Sequence, residues 1–388
     1  MKILMTLESS FPPDKRVENE VDALLDKGFE VHIICTGSKG ELETDVYKTA
    51  RVHRIFPGRL IRKSSVAVLK IPLYFIYWKT KLKKLLDNQS YDVIHIHDLP
   101  LIKPVNDLKK QFNFKIVLDL HENWPGLLSV SPHTQGALGK LLCSIRQWEQ
   151  YEKIYLKKAD RIIVVIEEAK ERILSLNIGL QEINVISNTV NLKDNLPQKS
   201  KSESDSGKII FIYEGGITYH RGLQNILKAF SRIDNAGDKA ELWIIGDGSY
   251  LKHLKKMCNS LNLNNYVKFY GWQPENKVFE LLAQANIALI PHIKSSHTDN
   301  TIPHKLFHYL YTGLPILASN CNPVERIIRE TSGGFIYQHD NIEELVDKIE
   351  MILRGTEYLK TTNGRNWIIQ RYNWSNEEKK LIKMYRGL

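Results

Sequence analysis

Cysteine is scarce in this 388-residue chain, which contains only four. Cys35, Cys143, Cys258 and Cys321 are far apart in the sequence and form no Cys-x-x-Cys pair. This scarcity argues against a zinc ribbon and against a disulfide framework, and it favours a reducing compartment such as the cytoplasm. The 13 histidines show no spacing typical of a metal site, so the sequence predicts no bound metal.

Long apolar runs are missing as well. The N-terminal run meets Glu8 too early to be the core of a signal peptide. The longest apolar stretch, Val66–Trp78, contains Lys70 and Pro72 and is shorter than the roughly 20 residues that a transmembrane helix needs. The composition, with 43% hydrophobic and 25% charged residues, is that of a globular protein long enough for two domains.

Acidic residues are absent from residues 46–86, and the whole chain has a net charge of +10. This segment carries eleven cations: Lys48, Arg51, Arg54, Arg59, Arg62, Lys63, Lys70, Lys79, Lys81, Lys83 and Lys84. Its largest apolar side chains include Leu73, Tyr74, Phe75, Tyr77 and Trp78. Such a mixture predicts peripheral contact with an anionic membrane surface. The alternative is a core helix with a solvated basic face, in which Tyr74 and Trp78 pack inward. No DNA- or RNA-binding motif accompanies the charge, so no nucleic-acid partner is expected.

Hydrophobic patterning alternates between predicted strands and helices. A strand over residues 2–7 precedes a Pro-rich loop and a helix with Val17 and Val21 on its buried face and Glu20 on its solvated side. Further strands are predicted over residues 30–35, 91–96, 115–120, 161–165 and 183–186. This alternation predicts parallel sheets that helices cover on both faces.

A polar, Ser-rich stretch over residues 195–207 predicts a linker. The pattern then restarts, with strands predicted over residues 208–213, 241–245, 266–270, 287–291 and 315–318 and a helix over residues 223–233. The predicted fold class is therefore α/β, with two doubly wound, Rossmann-like domains that face a central cleft. Ligands are expected there because they bind beyond the carboxyl ends of parallel strands.

Several nucleotide-binding motifs are lacking. No glycine occurs between the first strand and Gly28, so the Gly-x-Gly-x-x-Gly turn of dinucleotide-binding proteins is missing there, and no Walker A motif is present. There is no Asp-x-Asp pair to hold a divalent metal, and no cofactor is expected. Gly215-Gly216 at a strand end and Arg221 at the next helix start could hold a diphosphate through backbone N–H groups and a guanidinium. The alternative is an ordinary tight turn with a surface arginine.

Motifs along nearly the whole chain resemble those of the retaining glycosyltransferases of family 4. In the second half they are Gly215–Gly222, Gly246-Asp247-Gly248, Val267–Gly271, Asp299–Tyr309 and Gly313–Ser319. In the first half they are Pro12–Glu18, His95–Asp98, Asp119–Glu122 and Ile186–Val190. The order of these motifs carries the resemblance, since no one of them is specific by itself.

This resemblance implies a GT-B fold with four parts. Residues 1–194 would form an acceptor-binding domain, residues 195–207 a linker and residues 208–370 a nucleotide-sugar-binding domain. Residues 371–388 would form a helix that crosses back to the first domain.

The resemblance also implies the site residues. Catalytic roles are expected for His121, Arg221 and Lys305, of which the two cations would stabilise the leaving diphosphate. The donor-binding residues would be Gly215, Gly216, Gly246, Asp247, Tyr270, Gly271, Asn300, Thr301, Ile302, Pro303, His304 and His308. The acceptor-binding residues would be Asp14, Arg16, His97, Asp98 and Glu122. The chain departs from the family pattern at Asn300 and His308, which replace two glutamates, and at Gly216, where many members have arginine.

The expected activity is metal-independent, retaining transfer of a sugar from a nucleotide-sugar donor, with UDP- or GDP-sugars favoured. The acceptor would be a saccharide or a lipid-linked sugar used in surface polysaccharide biosynthesis. A cytoplasmic protein that reaches the inner face of the cell membrane would suit that role. Two alternatives remain open: a catalytically weak nucleotide- or carbohydrate-binding paralogue, for which the missing glutamates argue, and a sugar-nucleotide epimerase.

Overall fold

The chain forms two compact units in the computed structural model, which describes residues 1–131, 134, 136–179, 182–192, 207–355 and 363–388. The first unit comprises Met1–Asn188 together with Ser375–Leu388, and the second comprises Thr189–Trp374. Of the predicted linker over residues 195–207, only Gly207 belongs to the described residues.

The first unit is built on an eight-stranded sheet. Its strands are β1 (Lys2–Leu7), β2 (Glu30–Thr36), β3 (Thr44–Tyr47), β4 (Ala50–Ile55), β5 (Val93–His97), β6 (Lys115–Leu120), β7 (Arg161–Val164) and β8 (Glu182–Val185). The strand order is β3-β4-β2-β1-β5-β6-β7-β8, and all neighbours are parallel except the β3–β4 pair. Every residue from Ile3 to Leu7 is buried, as expected for a strand with both faces covered.

In the part of this unit that the structure describes, eight α-helices with given bounds connect the strands. They are α1 (Lys15–Asp26), α2 (Arg59–Ser64), α3 (Leu73–Asn88), α4 (Ile102–Asn106), α5 (Trp124–Val130), α6 (Ala137–Leu142), α7 (Ile145–Leu156) and α8 (Glu167–Ser175). Helix α1 begins at the N-cap Asp14, whose side chain accepts a hydrogen bond from the Val17 N–H, and Gly28 follows its end with a φ of +79°.

The second unit has a six-stranded, fully parallel sheet. Its strands are β9 (Ile209–Glu214), β10 (Ala240–Ile245), β11 (Val267–Gly271), β12 (Ile287–Ile290), β13 (Ile316–Ser319) and β14 (Gly334–Tyr337), in the order β11-β10-β9-β12-β13-β14. Its helices are α9 (Leu223–Phe230), α10 (Ala236–Lys239), α11 (Leu251–Ser260), α12 (Glu275–Gln284), α13 (Lys305–Thr312), α14 (Asn322–Thr331), α15 (Ile342–Arg354) and α16 (Gly364–Gln370). The last helix, α17 (Trp374–Arg386), continues into the first unit.

The predicted α/β fold class with two parallel sheets is confirmed. Each predicted strand lies within about two residues of an observed one, and Ile226, Leu227 and Phe230 of α9 are fully buried as expected. Strands β3, β4 and β14 were not predicted. Strand β3 is an exposed edge strand, so it lacks the apolar alternation that marks a half-buried strand.

Two predictions about side-chain exposure were wrong. Glu20, placed on the solvated side of α1, is completely buried, because it pairs with Arg16 one turn earlier. Tyr74, Phe75 and Trp78 are core residues of the first unit, so they cannot enter a membrane interface. The core alternative is therefore correct for these three residues. Among the described residues, no helix is both long and apolar enough to span a bilayer.

Candidate functional site

In the first unit, the predicted site residues gather where β1, β5 and β6 end. The sheet order reverses at β1, which lies between β2 and β5, and ligands of doubly wound folds bind at such a point. His97 is the last residue of β5, and His121 follows the last residue of β6. The topology therefore brings the motifs over residues 12–18, 95–98 and 119–122 to one edge of the sheet.

A buried ion pair between Arg16 and Asp119 anchors this group. The Arg16 Nη2 lies 2.9 Å from both carboxylate oxygens of Asp119, and its Nη1 donates to the Ile186 carbonyl at 3.0 Å. Burial would raise the pKa of Asp119, but the charges of Arg16 and His121 outweigh it and hold that pKa well below its usual range. Removing one partner of such a buried pair typically costs about 3–5 kcal/mol of stability.

Glu20 and His95 lie beside this pair and are both completely buried. The Glu20 Oε1 is 3.1 Å from the Arg16 Nε, and its Oε2 is 3.7 Å from the His95 Nε2. Burial and the Asp119 charge raise the pKa of Glu20 to about 8, so this carboxyl is largely protonated at neutral pH. The His95 Nδ1 lies 2.6 Å from the Tyr385 hydroxyl of α17, which connects the last helix to the group.

His121 is the most exposed member of the group, with 18% of its side chain accessible. Its Nε2 lies 3.0 Å from the Asp119 Oδ2 and 3.1 Å from the His97 Nδ1, and its backbone N–H donates to Asp98. Burial would lower the pKa of His121, but the charges of Asp119 and Asp98 outweigh it and raise that pKa to about 9. His121 is therefore an imidazolium at neutral pH, which can donate hydrogen bonds to a sugar or phosphate oxygen.

Among the described residues, one set of side chains could hold a metal ion: Glu20, His95, His97 and Asp119. Both carboxylates of this set, those of Glu20 and Asp119, already contact the Arg16 guanidinium. A divalent ion there would stand next to a fixed cation, and Glu20 is already neutralised by a proton. The donor set therefore does not fit a metal ion as long as Arg16 is in place.

Asp14 and Glu122, two predicted acceptor residues, have different surroundings. The Asp14 carboxylate accepts from the Val17 N–H at 3.2 Å, and the Glu18 carboxylate accepts from the Asp14 N–H at 3.0 Å, a capping box at the start of α1. Glu122 is half-buried and directly follows His121. Asp14 thus has a structural task that its sequence position alone did not reveal.

In the second unit, two glycine loops meet backbone to backbone at the ends of β9 and β10. The Ile217 N–H donates to the Asp247 carbonyl at 2.8 Å, and a Cβ on Gly246 would lie 2.0 Å from the Gly215 carbonyl oxygen. Gly246 also has a φ of +127°, which side chains disfavour. Only glycine permits this approach, so the two predicted donor loops form one surface.

Lys305, the first residue of α13, reaches this surface although it is nearly buried. Its Nζ donates to the Glu214 carbonyl and lies 3.8 Å from the centre of the Tyr213 ring. A Cβ on Gly215 would come within 2.8 Å of the same Nζ. Burial lowers the pKa of Lys305 to about 7, and the Arg221 charge adds to this effect. A bound anion would restore the full charge of Lys305, because it would favour the ammonium form.

Arg221 ends a short 3-10 turn and is held by His292, which follows β12. The Arg221 Nη1 donates to the His292 Nε2 at 3.1 Å. Burial and the nearby Arg221 charge hold the pKa of His292 well below its usual range, so its ring is neutral and can accept this hydrogen bond. His292 and His297 are both buried.

The remaining donor-side residues make contacts of other kinds. The Tyr270 ring packs 5.5 Å from Trp243, the Asn300 side-chain amide donates to the Ser296 carbonyl, and the His304 and His308 rings lie 4.3 Å apart. Gly271 is the last residue of β11, and the other members lie in loops: Gly216, Asp247, Thr301, Ile302 and Pro303. The Asp247 carboxylate accepts from the N–H of the next residue.

Five residues that the sequence did not single out hold these groups together: Glu20, His95, Asp119, Glu214 and His292. Glu20 follows Arg16 by four residues, a helical spacing that places both on one face of α1. Asp119 precedes His121 by two residues in a strand, which puts both side chains on the same side of the sheet. These spacings could have marked Glu20 and Asp119, whereas no local signal marks the contact between Arg221 and His292.

Two family models match the chain. Residues 15–194 match the model described as Glycosyltransferase Family 4, and residues 194–366 match the model described as Glycosyl transferases group 1. Among curated relatives, an uncharacterized glycosyltransferase of Haemophilus influenzae is 24% identical over 58% of this chain and 60% of its own length. The lipopolysaccharide 1,6-galactosyltransferase of Escherichia coli is 24% identical over 53% of this chain and 56% of its own. The chain thus spans little more than half the length of the curated relatives it matches.

Solved structures of similar fold cover the entire chain. Sucrose-phosphate synthase from Thermosynechococcus elongatus has a TM-score of 0.79 and 18% identity over 100% of this chain and 98% of its own. The lipopolysaccharide outer core galactosyltransferase WaaB in its apo form has a TM-score of 0.68 and 18% identity, with both chains fully covered. Anabaena HepE in complex with UDP-glucose has a TM-score of 0.73 and 16% identity, also with both chains fully covered.

Proposed function

The chain belongs to family 4 of the glycosyltransferases and has the GT-B fold, and on this premise we propose that it moves a sugar from a nucleotide-sugar donor to a saccharide or lipid-linked acceptor. The observation that carries the proposal is the pairing of a glycine surface with two converging cations, Arg221 and Lys305, at strand ends of the second unit.

The second unit would bind the donor. Arg221 is oriented by His292, and Lys305 lies beside Gly215 with a lowered pKa. Both cations would stabilise the charge that develops on the diphosphate as the glycosidic bond breaks, and this stabilisation grows toward the transition state. The solved complexes of HepE with UDP and with UDP-glucose support a uridine donor here.

The first unit would bind the acceptor. His121 is a partly exposed imidazolium whose ring is fixed by Asp119 and His97, so it is preorganised to donate a hydrogen bond to a reacting oxygen. Arg16, by contrast, is turned inward to Asp119 and Ile186, and we assign it to holding the site rather than to touching the acceptor.

The reaction would retain the anomeric configuration and would need no metal ion. Retention is supported by the resemblance to the retaining glycosyltransferases of family 4, whose two models match residues 15–194 and 194–366. Metal independence is supported by the two protein cations on the donor side, which can neutralise a diphosphate by themselves. The lipopolysaccharide galactosyltransferases among the relatives support a role in surface polysaccharide biosynthesis.

A cytoplasmic enzyme of this kind would meet a lipid-linked acceptor at the membrane, and residues 46–86 would dock there. The apolar side chains that face solvent in this segment include Leu60, Ile71, Leu73 and Ile76. Arg59, Lys63 and Lys70 are exposed cations among them. The docking surface we propose thus differs from the predicted one, since Tyr74, Phe75 and Trp78 are buried.

Vesicle co-sedimentation tests the docking surface. The full chain should bind phosphatidylglycerol vesicles at low salt, ignore phosphatidylcholine vesicles and dissociate as salt rises. Replacing Leu60 and Ile76 with Ser should weaken binding, whereas Leu174→Ser, a control at an exposed leucine of α8, should not. Equal binding by all three proteins would refute the docking surface and leave the transferase proposal intact.

A donor screen tests the transferase proposal. The full chain is mixed with UDP-, GDP-, ADP- and dTDP-sugars, and thermal shift identifies the donor that stabilises it. Release of nucleoside diphosphate should then require a saccharide acceptor and yield a glycoside of the donor's own anomeric configuration. A donor that binds but is never consumed would support the weak paralogue, and a changed sugar without an acceptor would support the epimerase.

A further inference from the structure

A cavity of about 170 Å³ lies within the first unit. Its walls are mostly apolar and come from two regions of the chain: Val66, Val68 and Tyr74 on one side, and Trp124, Leu128 and Trp148 on the other. Aliphatic and indole side chains dominate this lining, so the space suits an apolar group better than a polar one.

The cavity opens at the same edge of the sheet as His121. Glu8 follows β1, Pro100 follows β5 and Trp124 follows β6, and all three line the cavity. Trp124 is only three residues after His121 in the chain. The cavity is therefore part of the acceptor side of the first unit and is distinct from the ion-pair group around Asp119.

Among the described residues that line the cavity, Glu8 has the only carboxyl group. Burial raises the pKa of Glu8 to about 7, and a hydrogen bond from the Tyr74 hydroxyl partly opposes this. At neutral pH this carboxyl is therefore close to half protonated and already has a partner. Ser65 and Thr134 also line the cavity, but their hydroxyls already donate to backbone carbonyls, which argues for a hydrocarbon ligand rather than a sugar ring.

The segments next to the cavity in the chain, which we call its rim, carry aliphatic side chains and Lys70, whose charge acts on Cys143 in the cavity wall. Lys70 donates to the Leu141 carbonyl at 2.5 Å and so links the segment before α3 to α6. Leu141, Ile71 and Leu73 are exposed on these two segments. A molecule that carries a hydrocarbon chain next to a phosphate would match such a rim, because the chain meets apolar side chains and the phosphate meets an ammonium group.

From these observations we infer that the cavity binds the hydrocarbon next to the phosphate of a lipid-linked acceptor. This inference rests on the proposed transfer to a membrane-borne acceptor, and it names which part of that acceptor the first unit recognises. Each methylene that leaves water should tighten binding about four-fold, so the length of the chain, rather than the sugar, should control affinity.

Isothermal titration of the full chain with methyl and n-octyl β-D-glucopyranoside, below the micelle-forming concentration and without vesicles, tests this inference. The octyl glycoside should bind at least ten-fold more tightly than the methyl glycoside. Leu128→Phe, which fills the cavity from α5, should abolish this preference. Val66→Phe fills it from the opposite wall and provides a second test if the first variant does not fold. Leu174→Ser, a control at an exposed leucine of α8 outside the cavity, should bind like the wild type.

Equal octyl affinity in the wild type and in either folded cavity-filling variant would overturn the inference. A loss of the preference in Leu174→Ser would overturn it as well, since adsorption to the exposed surface would then explain the binding. Donor-dependent thermal shift is measured on the same proteins. It should be unchanged in all variants, so a failure of the donor screen is separable from a failure of the cavity.

Discussion

Replacing Glu20 with Gln should make the stability of the first unit less sensitive to alkaline pH. Glu20 is completely buried, and its pKa rises from 4.5 to about 8 in the folded state. Gln matches the shape of the protonated carboxyl, which Glu20 resembles at neutral pH. The variant should therefore fold, and below pH 4.5 its stability should be close to that of the wild type.

The direction in which stability changes with pH follows from the number of protons that the folded and unfolded states bind. Between pH 4.5 and 8 the folded state keeps a proton on Glu20 that the unfolded state has lost, so stability falls as pH rises. One proton costs about 1.4 kcal/mol for each pH unit. His121 adds a second loss between pH 6.5 and 9, because its pKa is also raised. His95 and His97 have lowered pKa values and act in the opposite sense, but only below pH 6.5.

Glu20 and His121 are surrounded by Arg16 from the same helix as Glu20, by Asp119 from β6 and by Tyr385 from α17. The range from pH 6.5 to 8 therefore isolates the titration of Glu20 and His121 within this group. Over this window the wild type should lose roughly 3 kcal/mol through both groups, and Glu20→Gln should lose about half of that through His121 alone.

Urea unfolding of the full chain at pH 6.5 and pH 8, followed by circular dichroism, measures the difference. Glu171→Gln, at an exposed residue of α8, is the matched control and should follow the wild type. If the free energies of unfolding of Glu20→Gln and the wild type fall in parallel between these two pH values, Glu20 holds no extra proton in the folded state and the reasoning is refuted.

Four further outcomes are expected. Arg221→Ala should lower turnover at least ten-fold by removing a cation from the leaving diphosphate, whereas Arg232→Ala, at an exposed arginine of the same unit, should not. His292→Ala should lower kcat/KM about ten-fold and His292→Asn should restore most of it, since an amide oxygen can also accept from Arg221. Asp119→Asn should shift the alkaline limit of activity from about pH 9 toward pH 6.5, because His121 loses the charge that keeps it protonated. Transfer should survive EDTA.

Each of these has a contradicting result. Wild-type kinetics in Arg221→Ala would remove this cation from the mechanism. Equal losses in both His292 variants would point to packing rather than to a hydrogen bond. An unchanged pH profile in Asp119→Asn would mean that the charge of His121 is not used. Loss of transfer with chelator, restored by magnesium or manganese, would contradict metal independence.

Much of the fold was predictable, because buried parallel strands such as β1 and β6 are continuous apolar runs between helical patterns. The failures have physical causes. Glu20 was assigned to solvent because a carboxylate is normally hydrated, but Arg16 on the same helix face makes its burial tolerable. Tyr74 and Trp78 are four residues apart, which is equally typical of a membrane-facing and of a core-facing stripe. Only the packing of α3 decides between them.

The motifs of the candidate site were predictable from the sequence, whereas the contacts between them were not. The positions of Arg16, His121, Arg221 and Lys305 follow from strand ends and helix starts. Long-range contacts such as that of Lys305 with the Glu214 carbonyl depend on the crossover between β9 and β12, which no local pattern specifies. The electrostatic state of each group depends on these contacts, so the imidazolium of His121 could not be derived from the sequence.

The hydrogen bond between Tyr385 and His95 constrains the order of events during synthesis. His95 is made early, but the hydroxyl that binds it belongs to a helix almost 300 residues later in the chain. Glu377 of the same helix accepts from the Ser187 N–H, and Tyr385 is completely buried. Part of the core of the first unit therefore stays uncovered while the ribosome translates the entire second unit. We therefore expect a nascent chain that stops before residue 375 to expose apolar surface and to recruit chaperones, and the second unit to complete its fold before the first.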